Sequence, residues 1–332
     1  MKKRMLLLVL VGVFAVTASG TAAAAEWANP DLLLSAKDVK GKLDLADWVV
    51  VDCQELDAYA KGHIPGAISL GKRCKKALRD KTSRMFSDPS KYEKFLGKVG
   101  IGNDTHVVFY GEHITSDTVR DAAIAFWILE VLGHDKVHVL NGGIDGWKNA
   151  GYSLTPKPAK KPQKTFKVNY VAKRNATTDE IFDIGTGKLK GVQLIDSRTA
   201  AEHKGKDIRA LRGGHVPNTT MNVSHKETHD QSKDPSTGQM RDNGFLSPDR
   251  VGGFFGSLDR NKRTIAYCQT GSRSGLTYLE LRLLGFQDPA NWDESWRVYA
   301  TYFENYPIAN EQWFNFDRIR KLEKKVEKLE AK

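Results

Sequence analysis

The sequence predicts an α/β fold built twice, each copy a mainly parallel sheet flanked by helices. Three observations predict it. Short apolar runs of strand type end in aspartate at "WVVVD" (48–52) and "VQLID" (192–196), and later β-branched and aromatic runs follow at "HVVFY" (106–110) and "TIAYC" (264–268). Each later run is followed by leucine-rich helical spacing that stops at Leu-Gly, in "AAIAFWILEVLG" (122–133) and "LTYLELRLLG" (276–285). Strands that alternate with helices argue for parallel sheets, and a repeat of domain length argues for duplication rather than a solenoid. A chain of 332 residues suffices for two such cores.

The elements divide the chain in order. Residues 1–25 combine a basic start ("MKKR"), an apolar run ("MLLLVLVGVFAV") and small residues before Glu26, the pattern of a cleaved secretory leader. A periplasmic, oxidising location is expected. Residues 26–154 form the first copy. "TPKPAKKPQK" (155–164) reads as an extended Pro/Lys-rich linker, and residues 165–310 form the second copy. Residues 311–332 are expected to form a charged C-terminal helix whose narrow seam, Ile319, Leu322, Val326 and Leu329, lies on its own domain or supports self-association. Loss of Lys2, Lys3 and Arg4 takes the formal charge from +11 to +8. The remaining cations are interleaved with acids and form no basic-aromatic stripe, so nucleic acid is not an expected partner, and no further stretch is apolar enough to span a membrane. A mild positive field suits a small anion.

The chemistry concentrates in "CQTGSRS", residues 268–274. A cysteine at the C-terminal end of a parallel strand lies where open α/β sheets bind ligands. The loop then enters a helix, so the amides of Gln269, Thr270, Gly271 and Ser272 can turn toward the sulfur, with Arg273 adding a full charge. Free amides, a helix N-terminus and an arginine all favour a thiolate. Gly271 lets the backbone bend into the cradle. A phosphate-binding cysteine loop would place its arginine one position later, where this chain has Ser274. The tighter loop suits a sulfur atom bonded to the thiol, and a cysteine phosphatase is disfavoured.

The "GHIPGAISL" and "GGHVPNTTMNV" turns, the Cys-Gln-Thr-Gly-Ser-Arg loop, "LNGGIDGW" and "NWDESW" together resemble the tandem rhodaneses, the thiosulfate and 3-mercaptopyruvate sulfurtransferases, over nearly all of residues 30–305. The resemblance implies two rhodanese-like domains, with catalysis in the second through Cys268. It implies a persulfide intermediate and transfer of sulfur from a small anionic donor to cyanide or to a thiol or dithiol acceptor, which can be a protein. It implies no metal and no organic cofactor. Aligning "VVFYG" on "TIAYC" puts Gly111 opposite Cys268, so the first domain is expected to be silent and to wall the cleft. The loop is neither the doubly basic form of thiosulfate enzymes nor the uncharged form of mercaptopyruvate enzymes. Arg273, expected to fork onto sulfonate oxygens, favours thiosulfate. A sulfur carrier that delivers its persulfide to a partner is the alternative reading.

Other residues carry lesser expectations. Asp196 and Arg198 are expected to form a structural ion pair, and Arg212 is a candidate for the cleft entrance. Trp296 suits either the pocket wall or the core. His63 and His215 open repeated turns and favour structural hydrogen bonds. His225 and His229 lack a third ligand in sequence, so no metal is expected. Asn218 takes a glycine's place in the second turn, and Glu294 stands where relatives tend to have glycine. Cys53 and Cys74 either bridge or remain two buried thiols.

Overall fold

In a computed structural model of the chain, residues 26–111, 116–230, 244–302, 306–315, 323–324 and 326–330 are described. The expected leader lies outside them. The first half holds β1 (Leu33–Leu34), β2 (Trp48–Asp52), β3 (Ile68–Ser69), β4 (His106–Tyr110) and β5 (Val137–Leu140), paired in the order β1-β5-β4-β2-β3 with every pair parallel. The second half holds β6 (Gln193–Asp196), β7 (Arg212–His215), β8 (Met221–Asn222), β9 (Arg263–Tyr267), β10 (Asp288–Asn291) and β11 (Ala309–Trp313). Its parallel sheet runs β10-β9-β6-β8, the same order without the first strand, and β11 pairs antiparallel with β7. The duplication read from the two apolar patterns is thus a duplication of topology.

The two halves meet through equivalent helices, Ser116–Val131 and Ser272–Leu283. Each is apolar on more than one face because one side covers its own sheet and the other meets its counterpart. One core cluster runs through the contact, from Ile124 and Phe126 to Leu276 and Leu279. The approach is close: a Cβ on Gly275 would come within 3.0 Å of Ile124 Cδ1. Glu130, fully buried, accepts hydrogen bonds from Tyr278 Oη at 2.5 Å and Arg282 Nη2 at 2.9 Å across the interface.

The expected linker is extended, but it is tied down rather than loose. Thr155 bridges to His63, the Lys164 amide donates to Gly97 O, and Phe166 is buried in the core shared by both halves. At Gly133 (φ +82°) a Cβ would overlap the Asn169 carbonyl, so glycine there lets the strap lie against the helix end. In the second turn Asn218 adopts φ +61°, the left-handed region that asparagine tolerates, where the first turn has Gly66 at +78°. His63 and His215 make the structural hydrogen bonds expected of them, Nδ1 to Tyr59 O and Nδ1 to His203 O.

One expectation is revised. Residues 311–313 are not helical but complete β11, whose antiparallel edge pairing with β7 satisfies the backbone there. Helix occupies residues 323–324 and 326–330, where Val326 and Leu329 are exposed; Ile319 and Leu322 lie outside the described residues. No helix among the described residues is long and apolar enough to cross a membrane.

Candidate active site

Cys268 follows β9, the strand flanked by β10 and β6 in the second sheet, and is fully buried. Its backbone is fixed on both sides: its amide donates to Ser295 Oγ at 3.0 Å, and its carbonyl accepts from the Trp296 amide at 3.0 Å. Gly271 holds the turn at φ +75°, where a Cβ would fall 2.7 Å from Asp293 O. Only glycine permits that fold-back, and the helix Ser272–Leu283 starts directly after it. Burial pushes the Cys268 thiol up, but the Arg273 charge, the Ser274 hydroxyl and amide, and the Thr270 amide outweigh it. The thiol is held below its ordinary range, as a nucleophile requires.

Arg273 acts differently from the expectation. Its guanidinium forks onto Glu202, Nη1 to Oε2 at 2.6 Å and Nη2 to Oε1 at 2.7 Å, with both side chains buried. The fork expected for donor oxygens is therefore engaged, and Arg273 supplies field rather than grip. Glu202 is placed by a capping box: Thr199 Oγ1 accepts from the Glu202 amide while Glu202 Oε2 accepts from the Thr199 amide. Burial alone would raise the Glu202 carboxyl, yet hydrogen bonds and charge from Arg273 hold it below the usual range.

Arg212 does not reach the entrance. It is buried, its Nε donating to Ala300 O at 3.2 Å and its Nη1 to Tyr306 O and Glu311 Oε1, each at 3.2 Å. An arginine suits the unpaired carbonyls at the end of the helix Ser295–Tyr299, and that requirement sets its place. Trp296 is a core residue, its indole donating to Arg212 O. Asp196 and Arg198 form the expected ion pair, Nη2 to Oδ2 at 2.7 Å, with the Arg198 guanidinium 4.4 Å from the Trp296 ring centroid.

The first half contributes directly. Arg79, buried, donates from Nη1 to Thr270 O at 3.0 Å and to Asp293 Oδ1 at 2.9 Å, and from Nη2 to Ser272 Oγ at 2.7 Å. It grips the cysteine loop from across the interface. Gly111 occupies the place after β4 that Cys268 occupies after β9. Beneath it Asp52 is held by Tyr110 and Gln54, with no arginine in the place of Arg198, and burial raises its carboxyl. Cys53 and Cys74 are joined in a disulfide with Cα atoms 4.8 Å apart. The bridge ties the end of β2 to the short helix Cys74–Ala77, five residues before Arg79.

A cavity of about 900 Å³ lies between the halves over the loop residues Gln269, Thr270, Ser272 and Arg273. Lys72, Lys75, Lys76, Arg79, Lys81 and Arg120 line it from the first half, and Arg209 and Lys226 from the second. Of the opposing carboxylates Asp80, Glu202 and Asp207, Glu202 is already committed to Arg273. His225 also lines it, while His229 packs on Phe245; no cluster suited to a metal occurs among the described residues.

The sequence model of the Rhodanese-like domain matches residues 35–150 and again 184–301. The chain belongs to the rhodanese family. It is 32% identical over 287 residues to the "Putative thiosulfate sulfurtransferase" of Mycobacterium leprae, covering 82% of this chain and 96% of that protein. It is 29% identical over 285 residues to the "Thiosulfate sulfurtransferase" of Corynebacterium glutamicum, covering 82% and 88%. Among solved structures, the rhodanese fold of SseA from Escherichia coli, described among 3-mercaptopyruvate sulfotransferases, matches with a TM-score of 0.66 at 23% identity, covering 80% of this chain and 98% of that one. The anaerobic ergothioneine biosynthesis enzyme of Chlorobium limicola matches at 0.72 and 20%, covering 85% and 71%. At these identities the two structures share the fold. Within the rhodanese pair, sequence reasoning missed Glu202 and Arg79. The "TAAE" capping pattern at 199–202 was a usable signal for the first. Nothing local marks the second.

Proposed function

We propose that this sulfurtransferase takes the outer sulfur of thiosulfate onto Cys268 and passes it to cyanide or a thiol. The observation that carries this reading is a buried thiol held below its ordinary range by Arg273 and the loop amides. The Cys268 thiolate attacks the outer sulfur, the sulfur–sulfur bond of the donor breaks, and sulfite leaves with the bonding electrons. The loop amides then stabilise charge on the persulfide, as an oxyanion hole stabilises developing charge. With Arg273 engaged by Glu202, the sulfonate oxygens of the donor meet the loop and the cationic cavity above it. The Cys53–Cys74 bridge supports an oxidising compartment reached through a cleaved leader, and Cys268 stays out of that bridge.

Incubation with thiosulfate tests the reaction: sulfite release should match the gain of one sulfur on the intact protein, located to Cys268 by peptide mass. Parallel rates with 3-mercaptopyruvate rank the donors. Sulfur transfer by the Cys268→Ser protein would refute the assignment. N-terminal sequencing of the protein from a periplasmic fraction checks the location, with Glu26 expected first.

A further inference from the structure

The cavity is far larger than a thiosulfate ion needs; volumes of about 300–1,000 Å³ are typical of sites that enclose drug-sized molecules. Its charge is also unevenly placed. The Cys268 loop forms one side, whereas the wall from the silent half carries Lys72, Lys75, Lys76 and Lys81. Lys72, Lys81 and Lys226 are exposed and have no carboxylate partner among the described residues. Lys75 is paired at 3.6 Å with Asp121, which Arg73 also engages. Burial, with the nearby Arg120 and Arg73, holds Lys75 below its usual range despite Asp121, so an added anion beside it would be welcome. None of these lysines is needed to activate the thiol. The wall lines the cavity between the two halves, above a fully buried sulfur, so a molecule small enough to enter the cavity can meet both.

We propose that the lysine wall of the silent half is an acceptor subsite for a small thiol carrying two or more carboxylates. The proposal rests on the sulfurtransferase reading and names the acceptor class. The carboxylates lie against Lys72, Lys75 and Lys81, and the thiolate points to the loaded cysteine. It attacks the outer sulfur of Cys268–S–SH and forms a new sulfur–sulfur bond. The old bond breaks, Cys268 leaves as thiolate, and the proton stays on the transferred sulfur, giving R–S–SH. No oxidant is consumed.

The test uses mercaptosuccinate and its uncharged dimethyl ester as acceptors, on full-length enzyme loaded with thiosulfate, with rates referred to thiolate concentration. Loading is confirmed first by intact mass. The dicarboxylate should react with a kcat/KM about tenfold above the ester at low salt, and the ratio should fall toward unity as salt rises. The Lys72→Gln/Lys81→Gln protein, altered only at exposed positions, should lose most of that preference; a circular dichroism spectrum like that of the parent verifies its fold. Equal reactivity of acid and ester, or a preference that survives the double substitution, overturns the subsite while leaving sulfur transfer in place. Failure to load at all overturns the sulfurtransferase reading and the subsite with it.

Discussion

Replacing Arg273 with alanine separates two jobs that one guanidinium performs. In the native site Glu202 is 1% exposed and receives two charge-assisted hydrogen bonds from Arg273. Their loss leaves a buried carboxylate with the Thr199 contacts and the more distant Arg209, at 3.4 Å. Breaking a buried pair by removing one partner costs about 3–5 kcal/mol, and Arg209 can move closer, so the lower end applies here. A loss of about 3 kcal/mol corresponds to a fall in melting temperature of roughly 4–5 °C for a chain of 332 residues. The second job is electrostatic. Arg273 is the largest of the influences that lower the Cys268 thiol, so the variant thiol should titrate at higher pH. The assay is the rate of iodoacetamide alkylation across pH, in protein shown to be folded. The companion Arg273→Met/Glu202→Leu protein removes both charges, and should recover most of the stability but not the reactive thiol. An unchanged alkylation profile in folded Arg273→Ala, or a native profile in the double variant, would refute the argument.

Three further outcomes are expected. Cys53→Ser/Cys74→Ser should lower stability by about 3 kcal/mol in the loop-entropy model, read from denaturant midpoints, and reductant should then have no further effect on the variant. Glu280 is fully buried with Thr228 Oγ1 donating to it at 2.5 Å, and burial raises its carboxyl to about 8. A carboxyl raised in the folded state favours folding most at low pH, so its contribution is lost as pH rises from about 4.5 to about 8; Glu280→Gln should flatten that decline in a series of urea melts. Gly111→Cys should create no second sulfur site, measured by thiosulfate loading in a Cys268→Ser background, because position 116, five after Gly111 as Arg273 is five after Cys268, is a serine and brings no charge to lower the thiol.

Much of the fold was legible because it depends on local pattern. Val49–Asp52 and Leu194–Asp196 announce buried parallel strands by apolar runs, and Gly133 and Gly285 stop the helices that follow. The loop around Cys268 was legible for a similar reason, since the cysteine, Gly271 and the helix start are contiguous. Partnerships across long sequence separations were not. Arg273 looked free because the capping pattern at 199–202 ties Glu202 to its own helix start and says nothing of a partner 71 residues away. Arg212 looked like an entrance residue because a basic side chain before a Gly-Gly turn reads as exposed, whereas the carbonyls of Ala300 and Tyr306 draw it inward. The end of the chain misled through periodicity: charged residues with a three-four apolar seam hid the fact that Ala309–Trp313 could pair with β7. The spacing of Cys53 and Cys74 left a bridge open, and only the short step from β2 to the helix Cys74–Ala77 brings them together.

The contact between the two long helices has a consequence for how the molecule can be taken apart. Their shared face includes Phe126, Ile128, Leu276 and Leu279, all fully buried, and Asn29 adds a clasp by donating to Arg282 O from the opposite half. The second half cut free would expose that apolar face to water, leave Tyr278 without Glu130, and release Thr270 and Ser272 from Arg79. The pieces would stick to one another before they could turn over substrate. Grafting or shuffling the Cys268 half into another protein therefore means moving the Gly111 half along with it, as a single cargo.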